Sequence, residues 1–124
     1  LAINAEFQGA MGVILNKPAP NELIKRIKSV IDIPILVTIV SENDDIEGRI
    51  EAGVDILNVS GAEKTPEIVK KIREISSDIA IVATGGKTEE TIKRVIDAGA
   101  NGVSYTPPTT GELFKEIMER YRKM

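Results

Sequence analysis

Cysteine and histidine are both absent from the 124-residue chain. Without cysteine, neither a disulfide framework nor a thiolate metal site can form, and a cytoplasmic location is favoured. Without histidine, the usual general base and the commonest metal ligand are missing, so any chemistry depends on Lys, Asp, Glu, Tyr, Ser or Thr. We therefore expect no metal site and no cofactor.

A basic surface and a long apolar run are absent too. The net charge is −3, with Lys and Arg dispersed among Asp and Glu, which argues against nucleic acid or an anionic membrane as a partner. No apolar run approaches the roughly 20 residues of a membrane span, and no signal-peptide pattern is present. A content of 42% apolar and 28% charged residues is ordinary for a globular protein, so we expect residues 1–124 to form one domain.

Apolar and amphipathic segments alternate along the chain. Residues 33–40 are apolar almost throughout, which is typical of a strand covered on both faces in a parallel sheet. Shorter apolar runs begin at Gly12, Val54, Ile79 and Gly102, and a helical pattern follows each of the five strands. Five strand–helix units predict an α/β fold with a parallel sheet and a site at the carboxyl ends of the strands.

Capping residues and apolar spacing predict where the helices begin and what they bury. Ser41, Thr65, Thr88 and Thr110 are each expected to cap a helix, and Gly99 to end one. Apolar residues at helical spacing predict buried faces on the first and last of the five helices: Leu23, Ile24, Ile27, Val30 and Ile31 on the first, and Leu113, Phe114, Ile117 and Met118 on the last.

The sequence contains an internal repeat. Residues 33–53 align without gaps on residues 79–99, and residues 12–27 align likewise on residues 102–117. Alternate strands of a barrel point their inner side chains into alternate layers, so a period of two units favours part of a (βα)8 barrel. A flavodoxin-like three-layer sheet is the alternative, because five βα units in about 120 residues also describe that fold.

The chain is organised around one strand–helix–strand unit at residues 79–106. Its first strand ends in Thr84, Gly85 and Gly86, immediately before a helix. Glycines there let a ligand approach the backbone, and the free N–H groups of a helix start suit an anion such as phosphate. A plain tight turn explains the same three residues, and both interpretations stay open.

Residues 81–103, IVATGGKTEETIKRVIDAGANGV, resemble the seventh-strand region of phosphate-binding (βα)8 barrels, a group that includes aldolases and thiamine phosphate synthase. The resemblance implies that Thr84, Gly85 and Gly86 form the first half of a phosphate grip. In that group the second half of the grip is usually a Gly-Ser at the end of the eighth strand. Here the chain reads Ser104, Tyr105, Thr106 and then two prolines. The resemblance places this chain at about strands four to eight of a barrel.

The resemblance and the strand ends together give the candidate site. Lys17 and Asn58 are the candidate catalytic residues, each at or just after a strand end. We expect a set of residues at the strand ends to contact a ligand such as a phosphate: Thr84, Gly85, Gly86, Ser60, Ser104 and Thr106. The implied protein is an enzyme, or part of one, that acts on a small phosphorylated or carboxylated metabolite as a lyase, isomerase or hydrolase.

A second function and a further property are also predicted. The alternative function is a non-catalytic binding or signalling module with a receiver-like fold, in which Asn58, Val59 and Ser60 end the third strand where a phosphoacceptor Asp belongs. Five units taken from an eight-stranded barrel would leave an open sheet edge and an uncovered apolar face. We therefore expect the chain to self-associate into an oligomer.

Overall fold

The computed structural model describes residues 1–15, 19–105 and 109–123. Five strands alternate with helices, and a 3₁₀ turn at Ala62–Lys64 precedes the fourth helix. The strands are β1 (Val13–Leu15), β2 (Ile35–Ile39), β3 (Ile56–Val59), β4 (Ala80–Thr84) and β5 (Gly102–Ser104). The helices are α1 (Ala2–Phe7), α2 (Asn21–Val30), α3 (Ile46–Glu51), α4 (Thr65–Ile75), α5 (Glu89–Ala98) and α6 (Thr110–Lys123).

All neighbouring strands are parallel, and their order in the sheet is their order in the chain, β1-β2-β3-β4-β5. A flavodoxin-like sheet has the order 2-1-3-4-5, because its chain reverses direction across the sheet after the second strand. The flavodoxin-like alternative is therefore wrong, and the receiver-like fold with it. A parallel sheet that always adds its next strand on the same side is the arrangement found in a (βα)8 barrel.

The core lies between one face of the sheet and the helices. Alternate residues on the central strands are buried against α4, α5 and their neighbours: Val37, Ile39, Leu57, Val59, Ile81 and Ala83. The other face carries the residues between them, and these are only half-buried. On that face Thr38 pairs with Asn58, Asn58 with Val82, and Val82 with Gly102. In a barrel this second face is the interior.

Two of the predicted caps are displaced by a residue or more. Asp45, rather than Ser41, caps α3, and its carboxylate accepts a hydrogen bond from the Gly48 N–H at 3.0 Å. The helix begins late because the Asp44 carboxylate accepts from the N–H groups of Val40 and Ser41 and so holds the chain in a turn. This turn uses the residues that the sequence pattern assigned to the first turn of the helix.

The last helix is capped by Thr109 rather than Thr110. The Thr109 hydroxyl accepts from the Glu112 N–H at 3.1 Å, and the Glu112 carboxylate accepts from the Thr109 N–H at 3.1 Å. This reciprocal pair is a capping box, which satisfies two backbone donors at once. Thr110 is therefore already helical.

Thr88 caps α5 as predicted, and Gly99 ends that helix. Thr65 has a different role from the predicted one. It is the first residue of α4, and its buried hydroxyl accepts a hydrogen bond from the Gly61 N–H at 3.0 Å. Thr65 therefore holds the loop between β3 and α4 instead of capping the helix.

The predicted buried face of α6 is wrong. Leu113, Phe114, Ile117 and Met118 are all exposed, and α6 buries none of its described residues. On α2, Leu23 and Val30 are exposed as well, although Ile24 is fully buried. Both helices follow the edge strands, β1 and β5, which pair with one neighbour each among the described residues. The amphipathic pattern of α6 is therefore not matched by burial among the described residues.

Candidate functional site at the carboxyl ends of the strands

Because the strands are parallel, their carboxyl ends lie at one edge of the sheet, which we call the carboxyl rim. A groove of about 940 Å³ opens at this rim between the β3–α4 connection and the start of α5. Four of the predicted ligand residues line it: Thr84, Gly85, Gly86 and Ser104. The structure therefore brings together the end of β4, its glycine turn and the end of β5.

The two glycines of the turn are required for different structural reasons. Gly85 is buried, and a Cβ at this position would come within 2.5 Å of Val103 Cγ1 and 2.8 Å of Ile92 Cγ1. Gly86 has a φ of +73°, a conformation that residues with a side chain rarely adopt. Close packing of α5 and the sharpness of the turn therefore account for the glycine pair without any ligand.

The start of α5 lies beside this turn. The Thr88 hydroxyl accepts from the Thr91 N–H, and the Thr91 hydroxyl accepts from the Thr88 N–H. This capping box fixes the first turn of α5. The N–H groups of Glu89 and Glu90 are in the first turn, where no carbonyl of the helix can accept from them, and they point out of its N-terminus. Their acidic side chains reduce the attraction of this helix end for an anion.

Ser104 is joined to the glycine turn through its backbone. Its carbonyl accepts from the Gly85 N–H at 2.8 Å, which continues the β4–β5 ladder by one residue beyond Thr84. The Ser104 side chain is exposed, so its hydroxyl is accessible from the groove. Thr84 is half-buried, and its hydroxyl donates to the Val59 carbonyl at 3.4 Å.

Asn58 and Ser60 lie on the neighbouring strand and outside this groove. Asn58 is half-buried on the inner face of the sheet, where its amide donates to the Thr38 hydroxyl at 3.3 Å. Ser60 is exposed just beyond β3, and its N–H donates to the Ile39 carbonyl. Both residues are at the carboxyl side of the sheet, as predicted, but neither lines the groove. Lys17 and Thr106 lie outside the described residues.

The other wall of the groove was not identified from the sequence. Glu63, Lys64 and Glu67 contribute charged side chains from the 3₁₀ turn and the start of α4, and Arg94 does so from α5. The turn contains Ala62, which has a φ of +54° and is the one residue with a side chain in this conformation within the described part of the chain. Alanine gives no sequence signal for such a turn, so this wall could not be predicted.

The acidic run before α3 has a structural explanation. Asp44 and Asp45 accept hydrogen bonds from backbone N–H groups at the turn and the helix start, as described above. Asp45 also accepts from the Asn21 side chain at 3.0 Å. In residues 1–15, 19–105 and 109–123, no group of three or more Asp and Glu side chains comes close enough to hold a metal ion. Nor does this part of the chain contain a helix with the length and hydrophobicity needed to cross a bilayer.

Known proteins share this arrangement. Thiamine-phosphate synthase from Geobacillus kaustophilus (strain HTA426) is 32% identical over 95 residues, a match that includes 68% of this chain and 43% of the relative. A mandelate oxidase mutant with a monooxide FMN adduct superimposes with a TM-score of 0.70 at 16% identity, covering 86% of this chain and 42% of that one. The chain is a partial TIM barrel.

A third similar structure, described as native KDPGal, gives a TM-score of 0.63 at 24% identity and covers 87% of this chain and 51% of that one. The partial barrel thus spans less than half the length of the curated relative and about half of the solved structures. No protein-family model matches the chain. The resemblance to phosphate-binding barrels such as thiamine phosphate synthase, inferred from residues 81–103, is confirmed.

Proposed function

We propose that this partial barrel binds a small phosphorylated or carboxylated metabolite in the groove at its carboxyl rim. The observation that carries the proposal is the position of Thr84, Gly85, Gly86 and Ser104 around one groove of about 940 Å³. That volume is in the range of small-molecule sites, and the carboxyl ends of parallel strands are where such sites occur in barrels. The relative from Geobacillus is named for a phosphorylated product, which agrees with a phosphorylated ligand.

The groove offers neutral hydrogen-bond donors and two cationic side chains to such a ligand. Ser104 and Gly86 line the groove together with Lys64 and Arg94, and the acidic side chains Glu63 and Glu67 line it as well. Arg94 already pairs with Glu90 at 2.7 Å, so an anion would compete with that carboxylate for the guanidinium. We expect weak binding of simple anions and tighter binding of a metabolite that also contacts the inner face.

The inner face would hold the remainder of the metabolite. Thr38, Asn58 and Val82 are paired across β2, β3 and β4 and lie one layer below the rim. The Asn58 amide would orient a ligand carbonyl or hydroxyl, and Lys17 would supply the amine for lyase, isomerase or hydrolase chemistry. The proposed enzyme class therefore depends on a lysine or a carboxylate, since the chain has no histidine or cysteine.

Calorimetric titration with inorganic phosphate, and separately with pyruvate as a carboxylate, tests the proposal. Ser104→Asp adds a negative charge inside the groove and should abolish binding of both anions. Ser77→Asp is the matched control, because it adds the same charge at an exposed position at the opposite edge of the sheet and should leave binding unchanged. Binding that is equal in both variants, or that is absent in the unmodified chain, would contradict the proposal.

We also propose that the partial barrel self-associates. β1 and β5 each pair with one neighbour only, so each leaves a row of backbone N–H and C=O groups open. Exposed apolar side chains on α6 and an apolar groove of about 860 Å³ beside β1 and α2 accompany these edges. Sedimentation velocity should show a dimer or larger species at micromolar concentration, and a monodisperse monomer would contradict this.

A further inference from the structure

One asparagine of the chain is followed directly by glycine, at Asn101 and Gly102, where β5 begins. Each of the five other asparagines precedes a residue with a side chain. A glycine has no Cβ to shield its backbone nitrogen, so that nitrogen can approach the side-chain carbonyl carbon, Cγ, of the asparagine before it. Attack at Cγ is the first step in the loss of the side-chain amide as ammonia.

The fold does not require glycine at position 102. A Cβ there would have Val82 Cγ2 as its nearest neighbour at 3.8 Å, which is an ordinary van der Waals distance. Gly102 does not have a positive φ either. The packing and turn geometry that explain Gly85 and Gly86 therefore do not explain this glycine, and alanine can replace it without strain.

Two donors hold the side-chain oxygen of Asn101. The Arg73 guanidinium donates to Oδ1 at 2.7 Å, and the Ile81 N–H donates to the same atom at 2.9 Å. Asn101 is exposed, and its amide nitrogen, Nδ2, has no hydrogen-bond partner among the residues that the structure describes. The carbonyl is thus fixed and polarised, whereas the nitrogen that would leave is not held.

The two donors lie where negative charge develops during deamidation. When the Gly102 nitrogen bonds to Cγ, Oδ1 becomes an oxyanion. Fixed donors at about 2.7–3.1 Å from such an oxygen stabilise it, as in the oxyanion holes of enzymes. Arg73 and the Ile81 N–H both lie within that range. Their positions therefore favour attack on Cγ of Asn101.

The preceding repeat shows which residue the fold holds at the equivalent position. The offset of 46 pairs Asn101 with Asp55, and Ile81 with Ile35. The Asp55 carboxylate accepts from the Ile35 N–H at 2.8 Å and from the Lys28 ammonium at 2.9 Å. An aspartate at position 101 would find the same backbone donor, with an arginine in place of the lysine.

We propose that Asn101 is a modification site, at which deamidation converts asparagine into aspartate and the fold retains the product. The Gly102 nitrogen loses its proton to water and bonds to Cγ, the Cγ–Nδ2 bond breaks, and ammonia leaves. Water then adds to Cγ of the cyclic imide and breaks the new N–Cγ bond, which restores the main chain with aspartate. Water that adds to the main-chain carbonyl carbon of residue 101 gives isoaspartate instead. The proposal does not depend on the ligand site.

The two products differ in their effect on β5. Aspartate leaves the main chain unchanged and offers Arg73 a carboxylate, which makes a stronger hydrogen bond than an amide oxygen. Isoaspartate inserts a carbon atom into the main chain immediately before β5, so the pairing of Gly102 with Val82 would shift. We therefore expect the aspartyl form to be at least as stable as the unmodified chain, and the isoaspartyl form to be less stable.

Incubation of the folded chain at mildly alkaline pH, followed by peptide mapping, tests the reaction. Asn101 should convert, and Asn43, which is exposed but followed by aspartate, should not. Gly102→Ala should slow the conversion at least about tenfold, because its methyl group hinders the approach of the nitrogen. The same variant should keep the circular dichroism spectrum of the unmodified chain.

Two results of this incubation would overturn the proposal. One is conversion of Asn101 in urea but not in the folded chain, because the fold would then block the attack. The other is an equal rate of conversion in the unmodified chain and in a folded Gly102→Ala variant.

Asn101→Asp has the covalent structure of the aspartyl product, so it tests whether the fold retains that product. Its midpoint of thermal unfolding should equal or exceed that of the unmodified chain. Asp55→Asn makes the opposite change in the preceding repeat and should lower the midpoint by about 2 °C or more, because Lys28 loses its anionic partner. A lower midpoint for Asn101→Asp would contradict the proposal.

Discussion

The Arg73 guanidinium on α4 donates to the side-chain oxygen of Asn101, just before β5, at 2.7 Å. The same oxygen accepts from the Ile81 N–H at 2.9 Å, so one amide group connects a helix to the start of β4. Arg73 also donates to the Gly99 and Ile79 carbonyls at 2.9 and 2.7 Å. A single side chain therefore fastens α4, α5 and the amino ends of two strands.

Replacing Arg73 by lysine should destabilise the chain. Lysine has one ammonium group and cannot reproduce the fork of donors that satisfies several carbonyls together, so we expect the free energy of unfolding to fall by about 1–3 kcal/mol. Arg120→Lys is the control, since Arg120 pairs with Glu116 on the same exposed helix face and its replacement should change the value by less than about 0.5 kcal/mol. Urea titration followed by circular dichroism measures both, and equal effects would contradict the role given to Arg73.

A related contact occurs one repeat earlier. The Asp55 carboxylate accepts from the Ile35 N–H at 2.8 Å and pairs with the Lys28 ammonium at 2.9 Å. Asp55 and Asn101 are 46 residues apart, which is the offset of the sequence alignment between residues 33–53 and 79–99. The repeat was detectable from apolar residues and glycines. The polar contacts were not, because the interacting residues are 20 or more positions apart and differ in type between the copies.

Thr65 offers a second test of stability. Its buried hydroxyl accepts from the Gly61 N–H, so Thr65→Val keeps the volume but leaves a backbone donor without its partner. We expect a loss of about 1–3 kcal/mol in the free energy of unfolding. Thr65→Ser retains the hydroxyl and should lose less. The interpretation fails if the serine variant is the less stable of the two in chemical denaturation.

A substitution at Gly85 tests whether the close packing of α5 requires a residue without a side chain at this position. Gly85→Ala would force a Cβ against Val103 and Ile92, and we expect it to cost about 1–3 kcal/mol. Gly111→Ala is the matched change in the first turn of α6, where the nearest atom lies 4.0 Å from the added Cβ, and it should leave stability unchanged or raise it by up to about 1 kcal/mol. Thermal unfolding of the two variants compares them, and a tolerated Gly85→Ala would show that α5 does not need this close approach.

The sequence predicted the strands well because their apolar runs and the glycines after the helices are local signals. It also placed the glycine turn and Ser104 at one rim, since parallel strands end at a common edge. It failed at α6, where Phe114 and Met118 have the pattern of a buried face but are exposed in the part of the chain that the structure describes. Two helix starts were also displaced, because Asp45 and Thr109 cap α3 and α6 in place of Ser41 and Thr110.

The proposed site is tested most directly by following backbone amide resonances during titration with inorganic phosphate. We predict saturable shifts at Gly85, Gly86 and Ser104, and unchanged resonances at Ser77 and Asn101 on the opposite edge of the sheet. Saturable shifts confined to that opposite edge, or no saturable shift at the glycine turn, would contradict a ligand site at the carboxyl rim.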